Sequence, residues 1–212
     1  MRRTWRLHKP LVCTLGSTIC RRVERVSPLC WRNSVLAEHE KLCGVIREGQ
    51  LADVGLLPDI ELEAGRLFPV GRIPQPDSTY PVPALELAAK QGLLFVVEAD
   101  GRVVGFATCS RLPDRLHLEE LSVHPAHGRQ GYGRALVKRV LEAAQEQGLA
   151  GVSLTTFADI PWNGPFYESI GFHTVPEAEL DESLESALAH ERDLGLTERI
   201  AMIYSTGKGE GG

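Results

Sequence analysis

The stretch His117-Leu-Glu-Glu-Leu-Ser-Val-His-Pro-Ala-His-Gly-Arg-Gln-Gly-Tyr-Gly-Arg-Ala135 carries most of the structural information in this chain. An apolar, partly β-branched strand ends near Val123 and runs into a glycine-rich turn that opens a strongly amphipathic helix. Gly131 and Gly133 remove side chains where backbone must approach a ligand closely. The helix start over Gly133 to Lys138 presents unpaired N–H groups at the positive end of the helix dipole. Such a turn suits a pyrophosphate held by main chain.

Three glycine patterns compete for this turn, and spacing separates them. The dinucleotide pattern wants a glycine where Leu136 stands, and Leu136 is an apolar helix residue. The nucleoside-triphosphate loop wants Gly-Lys-Ser/Thr, but the chain reads Gly133-Arg134-Ala135, with neither the lysine nor a hydroxyl for magnesium. The segment Gln130-Gly131-Tyr132-Gly133-Arg134-Ala135 instead resembles the acetyl-coenzyme-A loop, Gln/Arg-x-x-Gly-x-Gly/Ala, of the GNAT superfamily of N-acetyltransferases. A second segment, Asn163-Gly-Pro-Phe-Tyr-Glu-Ser-Ile-Gly-Phe172, is similar to the helix on which that family rests the pantetheine arm.

The resemblance spans about residues 44 to 204 and implies an α/β fold, the GNAT acyl-CoA N-acyltransferase fold. Its central sheet is mixed and mostly antiparallel, with about six to seven strands, flanked by helices and splayed at the cofactor site. It implies that Asn163 and Phe166 lie along the cofactor and that Tyr167 sits at the thioester. It also implies main-chain donors at the splay, for which the Leu121 and Val123 amides, with Ser122 between them, are the candidates. Arg129 and Arg134 flank the phosphate turn and are candidates to pair with phosphate oxygens. Acetyl-CoA is the implied co-substrate, and no metal is required.

Acetyl transfer to an amine needs a proton acceptor. An alkyl ammonium has a reference pKa of ~10.4 and must lose a proton before nitrogen can attack. Strand alternation gives His117, Glu119, Leu121 and Val123 one face and Glu120 and Ser122 the other. The resemblance implies a base or substrate-orienting role at one or both of His117 and Glu119, against the alternative of a solvated strand end or a structural ion pair. Tyr167 is the expected acid, because a phenol with a reference pKa of ~10 stays protonated at neutral pH and can donate to a departing thiolate. The competing reading is that its ring packs the helix on the sheet.

With 212 residues, 43% hydrophobic and 24% charged, the chain can bury a full core. No apolar run approaches the ~18 residues of a membrane span. Five cysteines without a Cys-x-x-Cys pair argue against a disulfide framework and a zinc site. Charge is unevenly divided: residues 1–36 hold eight Lys/Arg and one Asp/Glu, whereas the rest is net acidic. Residues 1–43 therefore read as a basic extension. A presequence, a basic arm and sequence upstream of the true start are the alternatives, and the last is favoured because the pattern from Val45 on is that of a complete domain. Residues 205–212 read as a flexible tail.

The expected elements are a strand over 43–47, a helix after Asp53 bearing Leu57, Ile60, Ala64 and Leu67, a proline-rich loop over 69–83 and a helix over 84–91. A hairpin turning at Asp100-Gly101 follows, then the strand ending at Val123, the helix to Gln147, a strand over 152–156 and the helix from Asn163. A strand over 172–175, a helix over 177–194 and a strand over 199–204 complete the domain. The acceptor is expected to be a small-molecule or peptide amine, with no nucleic-acid or membrane partner. The acidic segment 177–193 favours a cation, or merely solubilises a helix face. Phe157 and Trp162 line an apolar acceptor pocket, or only pack their loop. A cytoplasmic monomer or homodimer is expected. The alternative function is a non-catalytic acetyl-CoA-binding module.

Overall fold

The computed structural model describes residues 44–207; the basic extension over 1–43 and the last residues of the tail lie outside the described residues. Strand β1 (Gly44–Glu48) is followed by a single 3₁₀ turn and helix α1 (Leu57–Gly65), which buries Leu57 and Ile60. The helix stops before Leu67, which is 55% exposed rather than on the apolar face. After the proline-rich loop, α2 (Val82–Lys90) precedes the hairpin β2 (Leu94–Ala99) and β3 (Arg102–Arg111). Asp100 and Gly101 both have positive φ, 51° and 73°, the conformation a two-residue hairpin turn requires.

Strand β4 (Arg115–Val123) leads through the glycine-rich turn into α3 (Tyr132–Glu146). The α3 stripe Leu136, Val137, Val140, Leu141 and Ala144 is buried against the sheet, each large aliphatic being worth about 1.5–3 kcal/mol of removed apolar surface. Then come β5 (Gly151–Phe157), α4 (Gly164–Glu168), the short β6 (His173–Thr174), α5 (Glu182–Asp193) and β7 (Arg199–Ser205).

These strands form one seven-stranded sheet in the order β1-β2-β3-β4-β5-β7-β6. Every neighbouring pair is antiparallel except β4 and β5. The parallel pairing of β4 with β5 runs only from Arg115–Gly151 to Leu118–Leu154. Beyond it the strands diverge, and alternate N–H groups on that edge of β4 have no strand to bond. This is the splay expected from the resemblance.

Two features shape the opening. A β-bulge at the divergence pairs Cys109 with Leu118 and Thr108 with Glu120, leaving Glu119 as the extra residue. The segment between β6 and β7 carries α5 back over β5 and β7. It is fastened there by Asp181, which caps α5 through Leu184 N–H and ion-pairs with Arg115. Leu184 is the residue of α5 that is fully buried.

Candidate active site

The phosphate turn is built as its sequence requires. Gly131, at the N-cap of α3, has φ 83°, and Arg129 has φ 63°, so backbone curls through the left-handed region just before the helix. The first-turn N–H groups of α3 have no partner within the helix. A Cβ on Gly133 would lie 3.7 Å from the Phe166 ring, so the two motifs meet at this point. The Tyr132 side chain is buried in the core at 3% exposure, leaving its backbone for the turn. Gln130, Arg129 and Lys138 are exposed at the turn, and Ala135 N–H bonds Gly131 O at 3.0 Å. Arg134 spends its guanidinium on Ser169, at 3.1 Å to the carbonyl and 2.6 Å to the hydroxyl, and lies over Phe166. It braces α3 against α4.

Asn163 stands at the N-cap position of α4 and donates from Nδ2 to Thr156 Oγ1 at 3.0 Å. Its Oδ1 is buried and accepts no hydrogen bond. A buried acceptor without a donor is costly, and Asn163 lines the cavity with the β4 and β5 residues at the divergence. The backbone cradle and this orphaned oxygen fit a pantetheine-pyrophosphate chain.

A cavity of about 750 Å³ opens from the divergence toward the proline-rich loop. Its walls include Glu61, Phe68 and Tyr80 on one side, Leu118 to Ser122 of β4 and Leu154 to Phe157 of β5 at the base, and Trp162, Asn163, Phe166 and Tyr167 beside them. His190, Glu191 and Arg199 close the far wall. Arg199 holds Glu191 in a fork, at 2.8 and 2.6 Å, and Thr155 donates to the same carboxylate at 2.5 Å.

Tyr167 is 9% exposed, its ring packed edge-on to Phe166 and Phe172. Burial foremost, then the charge of Glu120, raises its hydroxyl above the ordinary phenol range, so it is protonated at neutral pH. It lines the cavity, and so does Glu119, exposed at the bulge.

The alternation read from sequence does not survive the bulge. Glu120 pairs with Thr108, Ser122 with Phe106 and His117 with Ser110, so His117, Glu120 and Ser122 share a face. The extra residue, Glu119, shifts the parity of everything after it. His117 does not line the cavity: it is buried, with Nδ1 2.9 Å from Ser153 Oγ, and burial lowers its pKa, so the ring is neutral. Glu120 enters the cavity instead. Burial raises its carboxyl, and the Ser122 hydroxyl, donating at 2.7 Å, offsets part of that.

Glu61 was not legible as a site residue. Both of its oxygens accept from Tyr80 N–H, at 2.9 and 3.0 Å, stapling α1 to the end of the proline-rich loop. Burial and then the charge of Glu120 push its carboxyl up to about 7. A glutamate on a surface-patterned helix gives no local signal of this, because the staple joins residues far apart in the chain. Among the described residues, no three His, Cys, Asp or Glu converge as a metal site, and no helix is long and apolar enough to cross a membrane.

A sheet that splays beside a glycine-rich helix start defines an acyl-CoA-dependent transferase fold, and comparison with known proteins gives the family. The model of the acetyltransferase (GNAT) family matches residues 60–172. The chain belongs to that family. It is 30% identical over 115 residues to the ribosomal protein bS18-alanine N-acetyltransferase of Escherichia coli, covering 53% of this chain and 78% of the relative. It is 31% identical over 102 residues to N-acetyltransferase family 8 member 3 of Rattus norvegicus, and that match spans 45% of each chain. The structure of the PaiA N-acetyltransferase of Thermoplasma acidophilum in complex with coenzyme A superposes with a TM-score of 0.58 at 15% identity, over 76% of this chain and 98% of the other. At that identity the likeness is one of fold.

Proposed function

We propose that this protein transfers an acetyl group from acetyl-CoA to a primary amine by direct attack. The observation that carries the reading is that one cavity joins the splayed edge of β4 and Asn163, whose Oδ1 lacks a donor, to a buried tyrosine and to carboxylates able to take a proton. Acetyl-CoA supplies an electrophilic thioester carbonyl. The α3 N-terminus and the backbone of Gln130 to Ala135 would hold its pyrophosphate, and Asn163 and Phe166 its pantetheine arm. The relatives named above, an alanine N-acetyltransferase and a coenzyme A complex among them, support this assignment.

The cavity carboxylates Glu119 and Glu120 take a proton from the incoming ammonium, freeing the nitrogen lone pair that forms the new N–C bond. The Leu121 and Val123 amides, on the unpaired edge of β4, stabilise the oxyanion that develops on the carbonyl. As the C–S bond breaks, Tyr167 donates its proton to the sulfur, and the second proton lost by nitrogen restores the phenol through solvent or a carboxylate. Amine and thioester become amide and thiol, with one proton released from the ammonium. His117, neutral and turned toward Ser153, supports the strand behind this carboxylate pair.

The test is paired. Glu120→Gln and Glu119→Gln should lower amine-dependent turnover by about 10²-fold or more when combined, while calorimetry gives unchanged acetyl-CoA affinity. Full turnover in the double variant would remove these carboxylates from the proton path.

A further inference from the structure

The cavity's charges and rings point to a class of acceptor; this rests on the reading of the cavity as the amine site. Three of its carboxylates, Glu61, Glu119 and Glu120, form no ion pair among the described residues. The fourth, Glu191, is neutralised by Arg199 at 2.6 Å, and that guanidinium is thereby spent. An acceptor carboxylate would find no free cation here and would meet like charge in a partly desolvated site. A single ammonium would find three partners.

The rest of the wall has another character. Phe68 packs on Phe157 with ring centroids 5.5 Å apart and on Trp162 at 6.3 Å, and Trp162 remains 49% exposed at the mouth. An exposed indole in a cavity wall is a ready surface for a ring or a comparable apolar body. A second ammonium would find no further carboxylate free there, because Glu191 is held by Arg199. Phe157 already carries the guanidinium groups of Arg72 and Arg199 over its ring, at 4.7 and 4.5 Å, so the attraction that ring offers a cation is already taken up.

We infer that the acceptor is an aralkylamine: a small primary amine with one positive charge, an aromatic or similarly bulky apolar body, and no carboxylate. Its ammonium lies among Glu61, Glu119 and Glu120, and its body rests on Phe68 and Trp162.

The experiment measures thiol release by the full chain with saturating acetyl-CoA and four acceptors: phenethylamine, phenylalanine, ethylamine and spermidine. Phenethylamine should exceed each of the others in kcat/KM by about tenfold or more, and Trp162→Ala should collapse its advantage over ethylamine. Equal or better use of phenylalanine or spermidine would overturn the inference, as would a preference that survives both Trp162→Ala and Phe68→Ala. If no amine is turned over although acetyl-CoA binds, the transfer reading fails. Calorimetry on the protein–coenzyme A complex then decides the acceptor class separately: tighter binding of phenethylamine than of spermidine and phenylalanine upholds it, and the reverse order removes it.

Discussion

Glu61 on α1 sits in the field of Glu120 on β4, within one cavity and with no cation paired to either among the described residues. Burial first, and that neighbouring charge second, push Glu61 up to about 7. Two carboxyl groups so placed titrate as a pair, the first proton leaving more easily than the second. The groups facing them are Glu119, Tyr80 and Cys109, with Arg199 opposing their charge.

This relationship sets a pH dependence. A carboxyl that must be ionised to accept a proton gives a kcat/KM that rises with pH, and burial sets that limb for Glu120 above the ordinary carboxylate range. Glu61→Gln deletes one negative charge, so Glu120 ionises more readily and the rising limb moves to lower pH. A pH profile of kcat/KM across the acid limb reads this directly. A limb that does not move places the titrating base elsewhere.

Tyr167→Phe keeps the ring packed between Phe166 and Phe172 and removes only the hydroxyl. Acid catalysis is typically worth about 10² to 10⁴ in rate, so turnover should fall at least tenfold while melting temperature and acetyl-CoA affinity stay near wild type. Wild-type turnover would leave Tyr167 a packing residue.

The phosphate turn offers a contrast between two glycines. A Cβ at Gly133 meets only the Phe166 ring, at an ordinary 3.7 Å, so Gly133→Val should fold, yet its branched side chain would fill the space before the helix N-terminus and abolish acetyl-CoA binding. Gly131→Val should lose stability as well, because φ 83° strains any β-branched residue. Calorimetry and thermal melts on the two variants separate ligand space from backbone strain.

Much of this was legible in the sequence. Hydrophobic period and glycine placement located α3, and the Asp100-Gly101 turn fixed the hairpin, because those signals are local. The two motifs named the fold, and the structure brings them together at Gly133 and Phe166. The face of β4 was not legible. Period-two alternation assumes an unbroken strand, and the bulge at Glu119 depends on how β3 pairs with β4. Glu61 and Arg199 reach the cavity only through the staple to Tyr80 and the fork with Glu191, contacts made by elements distant in sequence.

Gly151 opens β5 against β7 with no room for a side chain: a Cβ there would lie 2.1 Å from the Tyr204 carbonyl oxygen. Backbone cannot yield as a flexible side chain would, so Gly151→Ala should destabilise by about 1–3 kcal/mol, visible as a lowered Tm. An unchanged Tm would mean that the pairing at this end of the sheet is looser than the register implies.

The central claim is that acetyl leaves acetyl-CoA only when an amine occupies the cavity. Thiol release followed over a panel of primary amines, with the acetylated product identified by mass spectrometry, tests it most directly. Release that depends on amine, matches the amide formed and is strongly reduced in Tyr167→Phe is the predicted result. Tight acetyl-CoA binding without thiol release over the whole panel would contradict the account and leave this chain a cofactor-binding module.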